Sequence, residues 1–149
     1  MAFVIDASAT LPWFLEDERT AFTDDLLKSF ASVEYWAPAV WCLELPNGLL
    51  VAERKRRIAP ARRVEALDQV LRLRIRIDLG KPDIKAISAL AERHGLTTYD
   101  AAYLELALRQ GLGLVTLDAD LAAAAVAEQV PVSSPGRGTA AQRRRSYNR

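Results

Sequence analysis

One histidine and one cysteine in 149 residues exclude several common enzyme chemistries. A zinc site needs more soft ligands, and an acid–base pair of imidazoles needs a second His. The lone Cys42 excludes an internal disulfide, which fits a reducing cytoplasm. No apolar run reaches bilayer-spanning length, and residues 1–20 carry acids where a secretion signal would carry Lys or Arg. The expectation is a cytoplasmic protein with no membrane partner. Length and composition otherwise suit one soluble domain with a sizeable core, and no internal repeat is visible.

Carboxylates are the catalytic side chains left in number. Net charge is close to zero, but its distribution is uneven. Residues 1–53 hold nine acids against two bases, whereas residues 54–76 hold nine bases against Glu65 and Asp68. This basic stretch can be an arm for a polyanion or a solvated helical hairpin laced by ion pairs.

Apolar periodicity places short strands at Phe3–Ile5, Tyr35–Ala37, Ile75–Asp78, Gly113–Thr116 and Val130–Val132. Helices are expected over Thr20–Phe30, Val40–Arg56, from Ala59-Pro60, and over Ile84–Arg93, Thr98–Gln110 and Leu117–Gln129. Ser8 is expected to cap a further early helix with Pro12 near its first turn, and Pro46 to kink the Val40–Arg56 helix. Strand followed by helix, repeated, predicts a three-layer α/β/α sandwich around a mainly parallel sheet. The domain is expected to span residues 1–132. Residues 133–149, with Arg143-Arg144-Arg145 and no acid, read as a flexible basic tail.

Four acids stand singly in apolar segments: Asp6 in FVIDAS, Glu44 in WCLELPNGLL, Asp100 in LTTYDAAYLELA and Asp118 in LVTLDADL. Asp6 and Asp118 fall just past strand ends, where such sheets gather ligands. Glu44 on an apolar helix face is costly unless paired, and Asn47, three residues on, can hydrogen-bond it. Each acid also has a plain structural reading. Asp6 can cap a helix, Glu44 can face solvent, Asp100 follows Thr97 at capping-box spacing, and either Asp118 or Asp120 can cap the last helix. Ser8 can orient Asp6, and Thr116 can hold a water or a phosphate oxygen. Converged carboxylates without Lys or Arg would repel one another. A hard divalent cation, Mg²⁺ or Mn²⁺, resolves that conflict, which points to metal-assisted phosphodiester cleavage. No His or Lys stands in these segments as a general base. Asp6, Asp100 and Asp118 are the first choice for ligation, and Glu44 for a metal water or a second ion.

Together FVIDASA, LELPNGL, HGLTTYDAAYLELAL and LVTLDADL resemble the PIN-domain family, and within it the VapC-type toxins of bacterial toxin–antitoxin pairs. The resemblance covers residues 2 to about 132. It implies a Mg²⁺- or Mn²⁺-dependent ribonuclease whose four acids fall on Asp6, Glu44, Asp100 and Asp118. The family's hydroxyl residue, Asn and Thr fall on Ser8, Asn47 and Thr116, with Asp120 as an outer partner. It further implies an RNA substrate, a small VapB-like antitoxin and a homodimer. Pro46 departs from the pattern and bears on how Glu44 is aimed. Crowding of apolar and aromatic residues in the first two helices is a further sign of an interface.

Other readings fit less well. An aspartyl-phosphate phosphatase would want an acid where Ser8 stands, a receiver domain a late Lys, and a dinucleotide-binding fold a Gly-rich turn in place of DASAT. A non-catalytic PIN-like module binding RNA or protein is the rival from another class. His94 reads as a helix-end residue, Cys42 as a small core residue, and Trp13, Trp36 and Trp41 as packing residues.

Overall fold

A computed structural model describes residues 1–135, so the expected tail lies, from Gly136 on, outside the described residues. The strands are β1 (Ala2–Ile5), β2 (Glu34–Ala37), β3 (Ile75–Ile77), β4 (Gly113–Val115) and β5 (Val132–Ser133). They form one all-parallel sheet in the order β3-β2-β1-β4-β5. Parallel strands covered on both faces are apolar throughout, and Val4 and Ile5 of the central strand are fully buried. Alternation sends Val4 and Leu114 into one core and Ile5, Tyr35 and Val115 into the other. β4 opens on glycine because a Cβ at Gly113 would lie 2.6 Å from the Phe3 ring.

The helices are α1 (Ala7–Thr10), α2 (Ala21–Lys28), α3 (Trp41–Arg54), α4 (Pro60–Val70), α5 (Ile84–His94), α6 (Thr98–Gln110) and α7 (Ala119–Ala127). Leu90 of α5, Leu104 of α6 and Leu121 of α7 pack in the first core. Leu26 of α2 and Ala66 of α4 pack in the second, with Trp13, Phe14 and Leu15 from the turns between α1 and α2. α3 serves both, through Trp41 and Leu45 on one side and Leu49 and Ala52 on the other. This is the expected three-layer sandwich. From β1 the chain first builds β2 and β3 on one side, then returns to build β4 and β5 on the other. The reversal opens a crevice beyond the carboxyl ends of β1 and β4, where ligands bind in such sheets.

Several local expectations fail for identifiable reasons. Ser8 does not cap α1. Asp6 does, accepting from the Ala9 N–H, and Ser8 lies inside that single turn. Pro12 begins a separate 3-10 turn, Leu11–Trp13. Pro46 lies inside α3, which is one helix as expected. Ser133 belongs to β5, paired with Val115, so the ordered fold passes the expected boundary by a residue. Cys42 is exposed and is no core residue. The early aromatics fill the domain's own core, and Trp13 donates to the Thr23 carbonyl at 2.7 Å. They therefore argue nothing about a partner. In the basic stretch Arg57 pairs with Asp17 and Glu18, Arg62 with Glu65, Arg63 with Glu53 and Arg76 with Glu34, as the ion-pair reading expects, while Arg54, Lys55, Arg56, Arg72 and Arg74 have no ion pair among the described residues.

Candidate functional site

Asp6 directly follows β1 and is 4% exposed. Its backbone N–H continues the sheet to the Val115 carbonyl of β4. Its Oδ1 accepts from the Ser8 hydroxyl at 2.7 Å and the Ala9 N–H at 3.2 Å, and its Oδ2 from the Thr116 hydroxyl at 2.8 Å. Ser8 Oγ also accepts from the Leu117 N–H at 2.9 Å, which ties the end of β1 to the β4–α7 turn. Thr116 Oγ1 accepts from the Asp118 N–H at 2.9 Å. Asp118 then caps α7 by accepting from the N–H groups of Asp120 and Leu121 at 2.9 and 3.0 Å. Both plain readings therefore hold together with convergence. Asp6 and Asp118 are caps, and the helices they cap begin at the same crevice.

Asp100 lies in the first turn of α6, where its N–H donates to the capping hydroxyl of Thr97 at 3.1 Å. The capping interpretation is correct for that N–H, while the half-buried carboxyl faces the other acids. Burial first, then the charges of Asp118 and Glu44, push Asp100 up to about 6, against the Thr97 hydroxyl. Asp120 adds a smaller push. Asp6 is pushed up to about 7, mainly by burial and slightly by Asp118, against the stabilising donors Ser8, Thr116 and Ala9.

Glu44, half-buried in the first turn of α3, is held by a residue not among the expected site residues. The Tyr103 hydroxyl donates to Glu44 Oε1 at 2.7 Å. Tyr103 is 1% exposed and stands one turn beyond Asp100 on α6. Burial and the Glu44 charge hold its phenol far above its ordinary range, so it remains a donor. Asn47 does not fill the expected place. It is exposed, and among the described residues no hydrogen bond joins it to Glu44. The signal for Tyr103 was present in part: a buried Tyr needs a partner for its hydroxyl, and Glu44 needed a donor.

Among the described residues, no Lys, Arg or His pairs with Asp6, Glu44, Asp100, Asp118 or Asp120. Nor do three His, Cys, Asp or Glu side chains stand close enough together to form a ready-made cation cage. The donors to Asp6, Glu44 and Asp118 are all neutral: hydroxyls and backbone N–H groups. The lone histidine is elsewhere. His94 ends α5 as expected and lies 2.7 Å from Glu128 at the end of α7.

The PIN-domain family profile matches residues 3–127. The chain belongs to the PIN-domain family. This PIN domain is 28% identical over 124 residues to Ribonuclease VapC3 of Pyrobaculum aerophilum, covering 82% of this chain and 93% of that protein. Its fold matches PAE2754 from Pyrobaculum aerophilum, with a TM-score of 0.64 at 24% identity over 100% of this chain and 91% of that one. It matches VapBC2 from Rickettsia felis, solved bound to a promoter DNA fragment, with a TM-score of 0.65 at 15% identity over 90% and 98% of the two chains. FitAcB from Neisseria gonorrhoeae gives 0.62 at 17% identity over 89% and 96%. No helix among the described residues of this PIN domain is long and apolar enough to cross a membrane.

Proposed function

We propose that this PIN domain is a metal-dependent endoribonuclease, the toxin of a VapBC-like pair, restrained by a small cognate VapB-like antitoxin and active as a homodimer. The observation that carries the reading is the shared crevice of Asp6, Glu44, Asp100 and Asp118, with no cationic partner among the described residues. An all-oxygen, negatively charged donor set fits a hard divalent cation, Mg²⁺ or Mn²⁺. Asp6, Asp100 and Asp118 would hold it, and Glu44 would serve its outer shell or a second ion. When bound, the ion polarises the scissile phosphate and acidifies a water.

The remaining roles belong to the chain itself. Ser8 and Thr116 donate to Asp6 and keep its carboxylate oriented although it is buried. Thr116 also fixes the turn that presents Asp118. Asp120, exposed and adding to the charge around Asp100, would serve as an outer-sphere partner, and the exposed Asn47 is open to the ribose–phosphate chain. RNA as substrate is supported by the similarity to Ribonuclease VapC3. The antitoxin is supported by the fold shared with VapBC2. Leu43, Leu79 and Ile84 are among the exposed apolar side chains open to a protein partner.

The decisive experiment is cleavage of single-stranded RNA by the purified protein. Mg²⁺ or Mn²⁺ should support it, EDTA should stop it, and Asp6→Asn should lack it. Cleavage that persists in EDTA rejects the metal reading. A monomer in light scattering at high concentration counts against the homodimer, and absence of a small co-purifying protein on native expression counts against the antitoxin. The alternative is a non-catalytic PIN-like module that binds RNA or protein. Its support is that no three acids stand preassembled as a cage. RNA binding without cleavage at saturating Mn²⁺ would select it.

A further inference from the structure

We propose that Tyr103 is a positioning residue for the carboxylate site, acting through Glu44. The inference deepens the nuclease reading and rests on it. Glu44 approaches the crevice from α3, whereas Asp6 and Asp118 come from strand ends and Asp100 from α6. It lies in the first turn of its helix, and its long side chain needs something to fix its aim. Tyr103 supplies that from α6, donating to Glu44 Oε1 at 2.7 Å across 59 residues of sequence. Asp100 and Tyr103 are three residues apart and share one face of α6, so a single rigid helix sets one acid and aims another.

The ring of Tyr103 is buried in the first core, which also holds Ala7 and Leu45, so its hydroxyl has little freedom to turn elsewhere. The chemistry of the donor matters too. An Arg or Lys at this point would orient Glu44 but cancel its charge. A phenol orients it and leaves the charge for a cation. Outer-shell partners of a metal site typically change metal affinity or activity by about ten- to a hundredfold when removed, and Tyr103 reaches the site through one such group, Glu44.

The test uses the full chain as wild type, Tyr103→Phe, Glu44→Gln and the double variant. Mn²⁺ affinity of the metal-free proteins is measured by calorimetry, thermal melting without metal is recorded, and kcat and KM are measured on single-stranded RNA. Tyr103→Phe keeps the ring and should raise the Mn²⁺ Kd by about tenfold. It should lower kcat, leave KM within about twofold and hardly move the metal-free Tm. In the Glu44→Gln background the same change should have almost no further effect on Kd, because its target is gone. An unchanged Kd in Tyr103→Phe overturns the proposal, as does an equal effect in both backgrounds. A large Tm loss with unchanged Kd would mark Tyr103 as a packing residue only. Should Tyr103→Phe fail to fold, Tyr103 ring resonances in the wild type remain a readout. They should shift on addition of Mg²⁺, and their indifference would overturn the proposal equally well. A wild type that neither binds Mn²⁺ nor cleaves RNA defeats the nuclease reading itself, a result distinct from wild-type binding that Tyr103→Phe leaves intact.

Discussion

α6 carries an acid in its first turn and another in its middle, and the two are treated in opposite ways. At its start, Asp100 faces Glu44 and Asp118 without a cation, and Tyr103 one turn on offers Glu44 a neutral hydroxyl. Mid-helix, Glu105 is as buried as Asp6, yet Arg109 of the last turn donates to it at 2.7 Å and also reaches Asp78 at 2.7 Å. The Arg109 guanidinium holds Asp78 below the usual carboxylate range, whereas burial and like charges push Asp100 above it. A buried acid that serves the fold is neutralised by a guanidinium. An acid kept charged and uncompensated, beside others of its kind, calls for an external cation.

The largest contrast should be in activity. Asp6→Asn or Asp100→Asn should lower Mn²⁺-supported RNA cleavage by about a hundredfold or more. Glu105→Gln, on the same helix, should leave kcat near wild type in the fraction that remains folded. Equal losses in both would erase the distinction between the two acids. Stability should show the reverse order. Arg109→Ala strands Glu105 in the core and should cost about 2–3 kcal/mol in denaturant unfolding. Asp100→Asn, relieving repulsion, should leave the metal-free protein as stable as before or more so. A cost of about 1 kcal/mol in Asp100→Asn would mean that its cap-side role dominates.

Added metal should then separate the variants further. Mn²⁺ at ten times its Kd should stabilise the wild type by about 1.4 kcal/mol through mass action. Asp100→Asn should gain much less, and thermal melts with and without the ion decide this.

A further effect is the pH slope. Asp6 near 7 and Asp100 near 6 lie above the unfolded carboxylate value of about 3.9. From about pH 4 to 7 the folded state therefore holds more protons than the unfolded one, and metal-free stability should fall as pH rises. Asp78 is depressed, so its contribution is present above the unfolded value and is lost on acidification below it. Melting from pH 4.5 to 7.5 should show the decline in the wild type and a flatter line in Asp6→Asn. A wild-type profile that rises across that window would contradict the raised carboxylates.

The sandwich could be read in advance because its signals are local. Phe3-Val4-Ile5, Ile75-Arg76-Ile77 and Gly113-Leu114-Val115 announce strands within a few residues, and the alternating helices imply parallel pairing. Asp6 and Asp118 were legible as site candidates because a strand's carboxyl end is itself a position. Pairings that span the chain were not legible. Nothing near Glu44 says that its donor is Tyr103 and not Asn47, which competes on spacing and loses on direction. Nothing near Arg57 says that Asp17 and Glu18 will take it, since the bond crosses 40 residues. Cys42 was misread because hydrophobic type predicts burial only on average, and its place on α3 faces solvent.

The hydrogen bond from Thr116 to Asp6 joins positions 110 apart. The Thr116 N–H is in turn satisfied by the carbonyl of Ser133 in the last strand. The crevice is therefore closed by residues far apart along the chain. In a growing chain the Asp6 carboxylate lacks its Thr116 donor until β4 has emerged, and the turn beyond it lacks support until β5 has docked. Any product broken off before the final strand carries the acids without the arrangement.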